Sequence, residues 1–199
     1  CLSRGLGDVY KRQDFLLADV KGADFEQRQL LTDHGPLSYD YLILATGSQS
    51  DYFGNASLMR HAFGLKVLDE GLAIRNRVLE RFEEARWIED REQRRSLLTF
   101  VVVGGGPTGV EMAGALSELI RLVLRKDYRD LDLALVRVVL LEAAGSLLGT
   151  FAVPLREAAR RSLEQKGVEV LFRAKVEDVT AASIRLADGH EILASTVIW

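Results

Sequence analysis

The residues best suited to chemistry are six consecutive positions, Gly104-Gly105-Gly106-Pro107-Thr108-Gly109, and two carboxylates beyond them, Glu111 and Glu142. The glycines stand between an apolar, β-branched run at 97–103 and an amphipathic run that begins at Val110. A bare G-x-G-x-x-G is a weak signal, but strand, glycine loop and helix in that order is the context of a dinucleotide phosphate loop. Gly104 would permit the tight turn, Gly106 would let a pyrophosphate approach bare backbone, and Gly109 would let the helix pack closely on the strand. The helix N-terminus would offer free N–H groups and the positive dipole end to the phosphates. Gly105, Pro107 and Thr108 complete this expected cofactor-binding loop.

Glu142 falls at the C-terminal end of the next expected strand, where a dinucleotide fold places a carboxylate to accept from the adenosine ribose hydroxyls. It follows Gly109 by 33 residues, against a usual spacing of about 20, and the segment 125–135 accounts for the excess. A 2′-phosphate about 4 Å from this acid would be repelled by roughly 4 kcal/mol per unit charge at an effective dielectric near 20. No Lys or Arg occurs between Ala143 and Leu155 to compensate, so NAD(H) is expected over NADP(H). Glu111, read as lying in the first turn of the phosphate helix, is favoured there by the dipole alone; facing away from the pyrophosphate, it is the one candidate catalytic residue. Thr46-Gly47 follows another apolar run, and a Thr-Gly at a strand end lets backbone approach a ligand closely. No Ser/His/Asp set, carboxylate pair or metal cluster stands out, and hydride transfer needs none, because cofactors supply the reactive atoms.

The elements that must position these residues can be read in order. A long helical pattern covers about 66–95, with Leu68, Leu72, Leu79 and Phe82 on its apolar side and a charged, solvated end. Strand 97–103 leads into the glycine loop. A helix follows over about 107–126 with Val110, Ala113, Ser117, Ile120 and Leu124 inward; Pro107 is tolerated near its start. Then come strand 136–142, a helix over about 154–166 with Leu155, Ala158, Ala159, Ser162 and Leu163 inward, Gly167 as its stop, strand 168–172, and an antiparallel meander over 175–193 that turns at Asp188-Gly189. Residues 31–44 echo 186–199: Leu31 meets Leu186, Asp33 meets Asp188, Leu37 meets Ile192 and Leu42-Ile43 meets Val197-Ile198, at an offset of 155 residues. Each copy reads as strand, turn, strand and a buried parallel strand. Two copies imply two nucleotide-binding domains of one design. The first domain's phosphate loop is then expected about fifty residues before Cys1.

The bulk properties set the class. The chain has 199 residues, a formal net charge of -3, one cysteine and three scattered histidines. This excludes a disulfide framework and a Cys-x-x-Cys pair, and the acidic balance argues against a nucleic-acid partner. The expected organisation is a non-native segment at 1–13, the end of a first domain at 14–65, a connecting helix at 66–96 and an NAD(H)-binding domain at 97–199. Asp8–Gln13 resembles the translation of a transposase adapter end used in sequencing libraries. The pattern also stops mid-strand at Trp199, so a piece of a longer protein is expected.

The stretches Tyr39-Asp40-Tyr41-Leu42-Ile43-Leu44-Ala45-Thr46-Gly47-Ser48, Gly64-Leu65-Lys66 and Val102–Glu111 resemble those of type II NADH dehydrogenases, the single-subunit NADH:quinone oxidoreductases of the two-dinucleotide-binding flavoprotein superfamily. The resemblance covers residues 15–199. It implies an α/β, Rossmann-like fold with a nearly complete NAD(H) domain plus the tail of an FAD domain. It further implies bound FAD, reduction of FAD by NADH and passage of electrons to quinone, with Gly104, Gly106, Gly109, Glu111 and Glu142 serving NADH, and Thr46 and Gly47 lying against FAD. For the parent protein it implies a cytoplasmic enzyme, peripheral on the inner face of the cell membrane through segments beyond this sequence, and it is compatible with a homodimer. The alternatives are another flavin reductase of the superfamily, such as a ferredoxin or rubredoxin reductase or an apoptosis-inducing-factor-like protein, and a nucleotide-binding module without turnover.

Overall fold

Apolar runs without alternation become strands buried on both faces, and this sets the layering. The computed structural model describes residues 14–199, so the adapter-like segment 1–13 lies outside the described residues. The chain divides into two units between Gly47 and Ser48.

In the first unit, β1 (Val20–Asp24), β2 (Gln29–Thr32) and β3 (Gly35–Ser38) form an antiparallel meander in that order. The β2–β3 turn is fixed by Thr32, whose hydroxyl donates to the Gly35 carbonyl at 2.7 Å and accepts from His34 N–H at 3.1 Å. The strand–turn–strand of the internal echo is therefore present. The buried strand expected over Tyr41–Leu44 is not: its backbone is irregular, and Tyr41 and Ile43 are 94% and 87% exposed. A strand exists through its ladder, and no described residue of this unit pairs with that segment.

The second unit holds a five-stranded parallel sheet, ordered β4 (Ala62–Phe63), β11 (Thr196–Ile198), β5 (Thr99–Val103), β6 (Arg137–Glu142), β7 (Val168–Phe172). Side chains alternate between its faces. Phe100, Val102, Val138, Leu140 and Ile198 enter one core, with α2 (Leu68–Ala85) and α4 (Pro107–Glu118). Val101, Val139, Leu141 and Val197 enter the other, with the meander β8 (Val176–Val179), β9 (Ser183–Leu186) and β10 (Glu191–Leu193) and with Leu58 of α1 (Ala56–His61). Residues 48–65, grouped with the first domain by the sequence, thus fold into the second unit.

Helical detail departs from expectation in four places. The single helix over 66–95 is two, α2 and α3 (Arg91–Leu97), because Asp90 takes an N-cap position and accepts from Gln93 N–H at 2.7 Å. The inner stripe of α2 is Ile74, Val78, Phe82 and Ala85, while Leu68 is 77% exposed; both sets satisfy helical spacing, and contact with the sheet decides. The helix after the glycine loop passes from α4 through a π-helical turn, Leu119–Leu124, into the short α5 (Arg125–Asp127). Its buried side includes Leu116 beside Ala113, Ser117, Ile120 and Leu124. In α6 (Val153–Gln165) only Leu163 is fully buried; Leu155, Ala158 and Ser162 face outward.

Segment 125–135 is anchored by Tyr128. Its ring lies 5.1 Å from that of Phe82, and its hydroxyl donates to Glu83 Oε1 at 2.7 Å. Burial, then the Glu83 hydrogen bond and charge, push the phenol up to about 12. The folded chain therefore keeps a proton that the unfolded chain releases near pH 10. Stability from this group is full below pH 10 and falls as pH rises toward about 12. Tyr128→Phe is expected to flatten that part of the stability–pH profile, measured by denaturant titration from pH 9 to 12; an unchanged slope would show that the phenol is not held neutral.

Candidate functional site

The glycine loop leaves β5 at the C-terminal edge of the sheet. Gly104 N–H donates to the Leu141 carbonyl of the neighbouring strand at 2.8 Å, and Gly104 has φ +109°, a conformation L side chains rarely adopt. A β-carbon at Gly109 would collide with the Gly104 carbonyl oxygen, which is backbone and cannot give way. Gly106, the N-cap of α4, is different: a β-carbon there would meet no atom within 4 Å. The surface above Gly106 is open, and helix geometry leaves the N–H groups of Thr108 and Gly109 without carbonyl partners inside α4. Gly106, Pro107 and Thr108 are exposed. Gly104 and Gly109 thus serve the turn and the close packing expected of them, and Gly106 leaves an open surface at the helix start.

Gly105 has a reason the sequence did not disclose. Its N–H donates to Glu142 Oε2 at 2.6 Å, and a β-carbon on it would stand 2.6 Å from that same oxygen. The other carboxylate oxygen of Glu142 accepts from Ala144 N–H, also at 2.6 Å. One acid at the end of β6 therefore ties the glycine loop to the loop that follows β6. Each carboxylate oxygen can accept a further hydrogen bond, so the acid retains acceptors for a ligand hydroxyl.

Two recesses flank Gly104. One, of about 230 Å³, lies on the α4 side and is lined by Leu65, Gly106, Thr108, Met112 and Trp199 among others. The second, of about 590 Å³, includes Glu142, Lys175, Phe53, Tyr52 and Trp199. Recesses of similar volume beside the π-helical turn and beside Arg137 and Glu169 hold none of the loop residues. Glu142 and the loop are thus brought together. Glu111 is not: it is the fifth residue of α4, in its second turn rather than its first, is exposed, and lines neither recess. Thr46 and Gly47 are exposed residues of the first unit, Gly47 with φ +75°. Sequence reasoning missed Lys175, because it sought a cation only within the loop after Glu142. It also missed the aromatic residues Tyr52, Phe53 and Trp199, which carry no spacing signal.

A family model described as pyridine nucleotide-disulphide oxidoreductase matches residues 8–199. The chain belongs to this family. It is 43% identical over 150 residues to the type II NADH:quinone oxidoreductase Ndh of Mycobacterium tuberculosis, covering 75% of this chain and 32% of that protein. To NdhA of the same organism it is 42% identical over 182 residues, covering 88% and 39%. The chain therefore spans between about a third and two fifths of the length of these relatives. Its fold matches NDH2 from Plasmodium falciparum in complex with NADH at a TM-score of 0.78 and 24% identity, covering 92% of this chain and 40% of that one. A ferredoxin reductase from Rhodopseudomonas palustris matches at 0.69 and 18% identity, covering 96% and 42%.

Two substitutions separate the roles of the loop. Gly109→Ala should cost about 1–3 kcal/mol as overpacking against backbone, read as a fall of several degrees in melting temperature. Glu142→Gln replaces one acceptor oxygen with a donor that must face either Gly105 N–H or Ala144 N–H. With the amide oxygen kept on Gly105 N–H and the exposed Ala144 N–H turned to solvent, the expected cost is that of one hydrogen bond, about 1 kcal/mol, in the same melting assay. A Glu142→Gln chain as stable as the unaltered one would show that the clasp contributes nothing to the fold.

Proposed function

We propose that the chain is the nicotinamide-dinucleotide-binding part of an FAD-dependent oxidoreductase that takes hydride from NADH and passes electrons to a quinone. One observation carries the dinucleotide reading: open space above Gly106, beside unpartnered helix N–H groups, with Glu142 at the end of the adjacent strand. The residues present fit the group. The backbone of Gly104, Gly105, Gly106, Thr108 and Gly109 would hold the diphosphate, with Pro107 fixing the helix start, and Glu142 would accept from the adenosine ribose. Thr46 and Gly47 are the candidates for FAD contact, and the bound flavin would supply the hydride acceptor. Glu111, exposed on the second turn of α4, is the candidate for the reacting end. Quinone as acceptor is supported by the names of the relatives that are 42–43% identical.

The peripheral membrane location and homodimer belong to the same proposal. Among the described residues no helix is long and apolar enough to cross a membrane, and no cluster of three or more His, Cys, Asp or Glu is placed to hold a metal ion.

The decisive variant is Gly106→Ala. Its methyl group meets nothing in the chain, so any loss of stability should stay within the roughly 1 kcal/mol by which Ala is a poorer N-cap than Gly. It would stand where the diphosphate approaches, so NADH affinity, measured by fluorescence titration, should fall at least tenfold, about 1.4 kcal/mol. Equal NADH affinity in both chains would remove the phosphate-loop reading. In the same titration NADPH should bind at least tenfold more weakly than NADH, from Glu142 repulsion that Lys175 in the same recess partly offsets. Bleaching of bound FAD on NADH addition separates the oxidoreductase from a binding module without turnover.

A further inference from the structure

Phe53 combines three properties that packing does not explain. It lies in the left-handed region at φ +51°, where bulky residues are outliers. The residue is 79% exposed, and it lines the recess that holds Gly104 and Glu142. The loop that carries it is tied down on both sides. Asp51 Oδ1 accepts from Phe53 N–H at 2.7 Å, the Asp51 carbonyl accepts from Trp199 Nε1 at 2.7 Å, and Asn55 Nδ2 donates to the Glu177 carbonyl at 2.9 Å. Trp199 backs the Phe53 ring edge-on at 6.1 Å and is itself stacked on Tyr52 at 6.4 Å. Surroundings this determined hold a strained residue in place, and such strain gathers at ligand clamps.

Resting on the dinucleotide reading above, we infer that Phe53 is a stacking platform for the nicotinamide half of the bound dinucleotide. The sheet order assigns the half. Glu142, on β6, marks the adenosine sugar and Gly104, at the end of β5, marks the diphosphate. The remaining half extends over β11, the next strand, which runs directly into Trp199. The aromatic face offers a planar ring stacking without demanding a hydrogen bond.

The test is equilibrium binding of NADH and of ADP-ribose to the chain carrying Trp87→Phe. That change removes the exposed second indole and leaves Trp199 as the only tryptophan reporter. Phe53→Ala should weaken NADH roughly tenfold, the scale of losing one base–aromatic stack, and leave ADP-ribose unchanged. Phe53→Gly should do the same while the melting temperature holds, because glycine accepts the backbone angle; Phe53→Tyr, which keeps the flat ring and adds no indole, should restore NADH affinity. Unchanged NADH affinity in Phe53→Ala, or equal weakening of NADH and ADP-ribose, overturns the inference. Failure of the unaltered chain to bind either compound instead overturns the dinucleotide reading, and this inference falls with it.

Discussion

The contact on which the site depends is between two backbones. Where α4 begins, Gly109 lies so close to the Gly104 carbonyl that no side-chain atom fits between them. That closeness lets a helix start directly above the end of a strand, with its N-terminus at the sheet edge. The small residues that follow keep the approach: Ala113 is fully buried, and Ser117 turns its hydroxyl to the Lys166 carbonyl at the end of α6, at 2.6 Å. An ion pair between Glu118 and Lys166 joins the same two helices. The position of the glycine loop is thus set by packing that runs from the strand through α4 to α6.

The sheet explains why the site lies at one edge. Each face is covered, by helices on one side and by the meander with α1 on the other, and the alternation of β5 and β6 fills two separate cores. A sheet closed on both faces leaves only strand ends for binding. At the C-terminal ends the connections diverge, with β5 feeding α4 on one side while β11 lies on its other flank. The crevice outside the carboxyl ends of parallel strands is the general place for ligands in such sheets.

How much of this was legible in the sequence follows from how local each determinant is. The loop, its two strands and the Asp188-Gly189 turn were legible because glycine placement and apolar runs act within a few residues. The inner faces of α2 and α6 were not, since two stripes on each helix satisfy the helical period and only the neighbouring sheet selects one. Tyr41–Leu44 has strand composition and an echo in β11, yet strand formation depends on a partner that composition does not supply. Glu142 was found from its place after an apolar run. Its bonds to Gly105 and Ala144 were hidden because they arise from a close approach between segments 37 residues apart. Lys175, Phe53 and Trp199 converge only in the fold.

Glu142 shows why such a residue resists a single label. A carboxylate has two oxygens and about four acceptor positions. Two are taken by the Gly105 and Ala144 N–H groups, so the side chain stands in one orientation before any ligand arrives. In the proposed complex the sugar hydroxyls meet acceptors that need not be reorganised, which lowers the ordering cost of binding. The same bonds hold the loop whose open backbone would face the diphosphate in that complex. In that proposed complex, sugar recognition and phosphate recognition would both draw on the acid's bonds to Gly105 and Ala144.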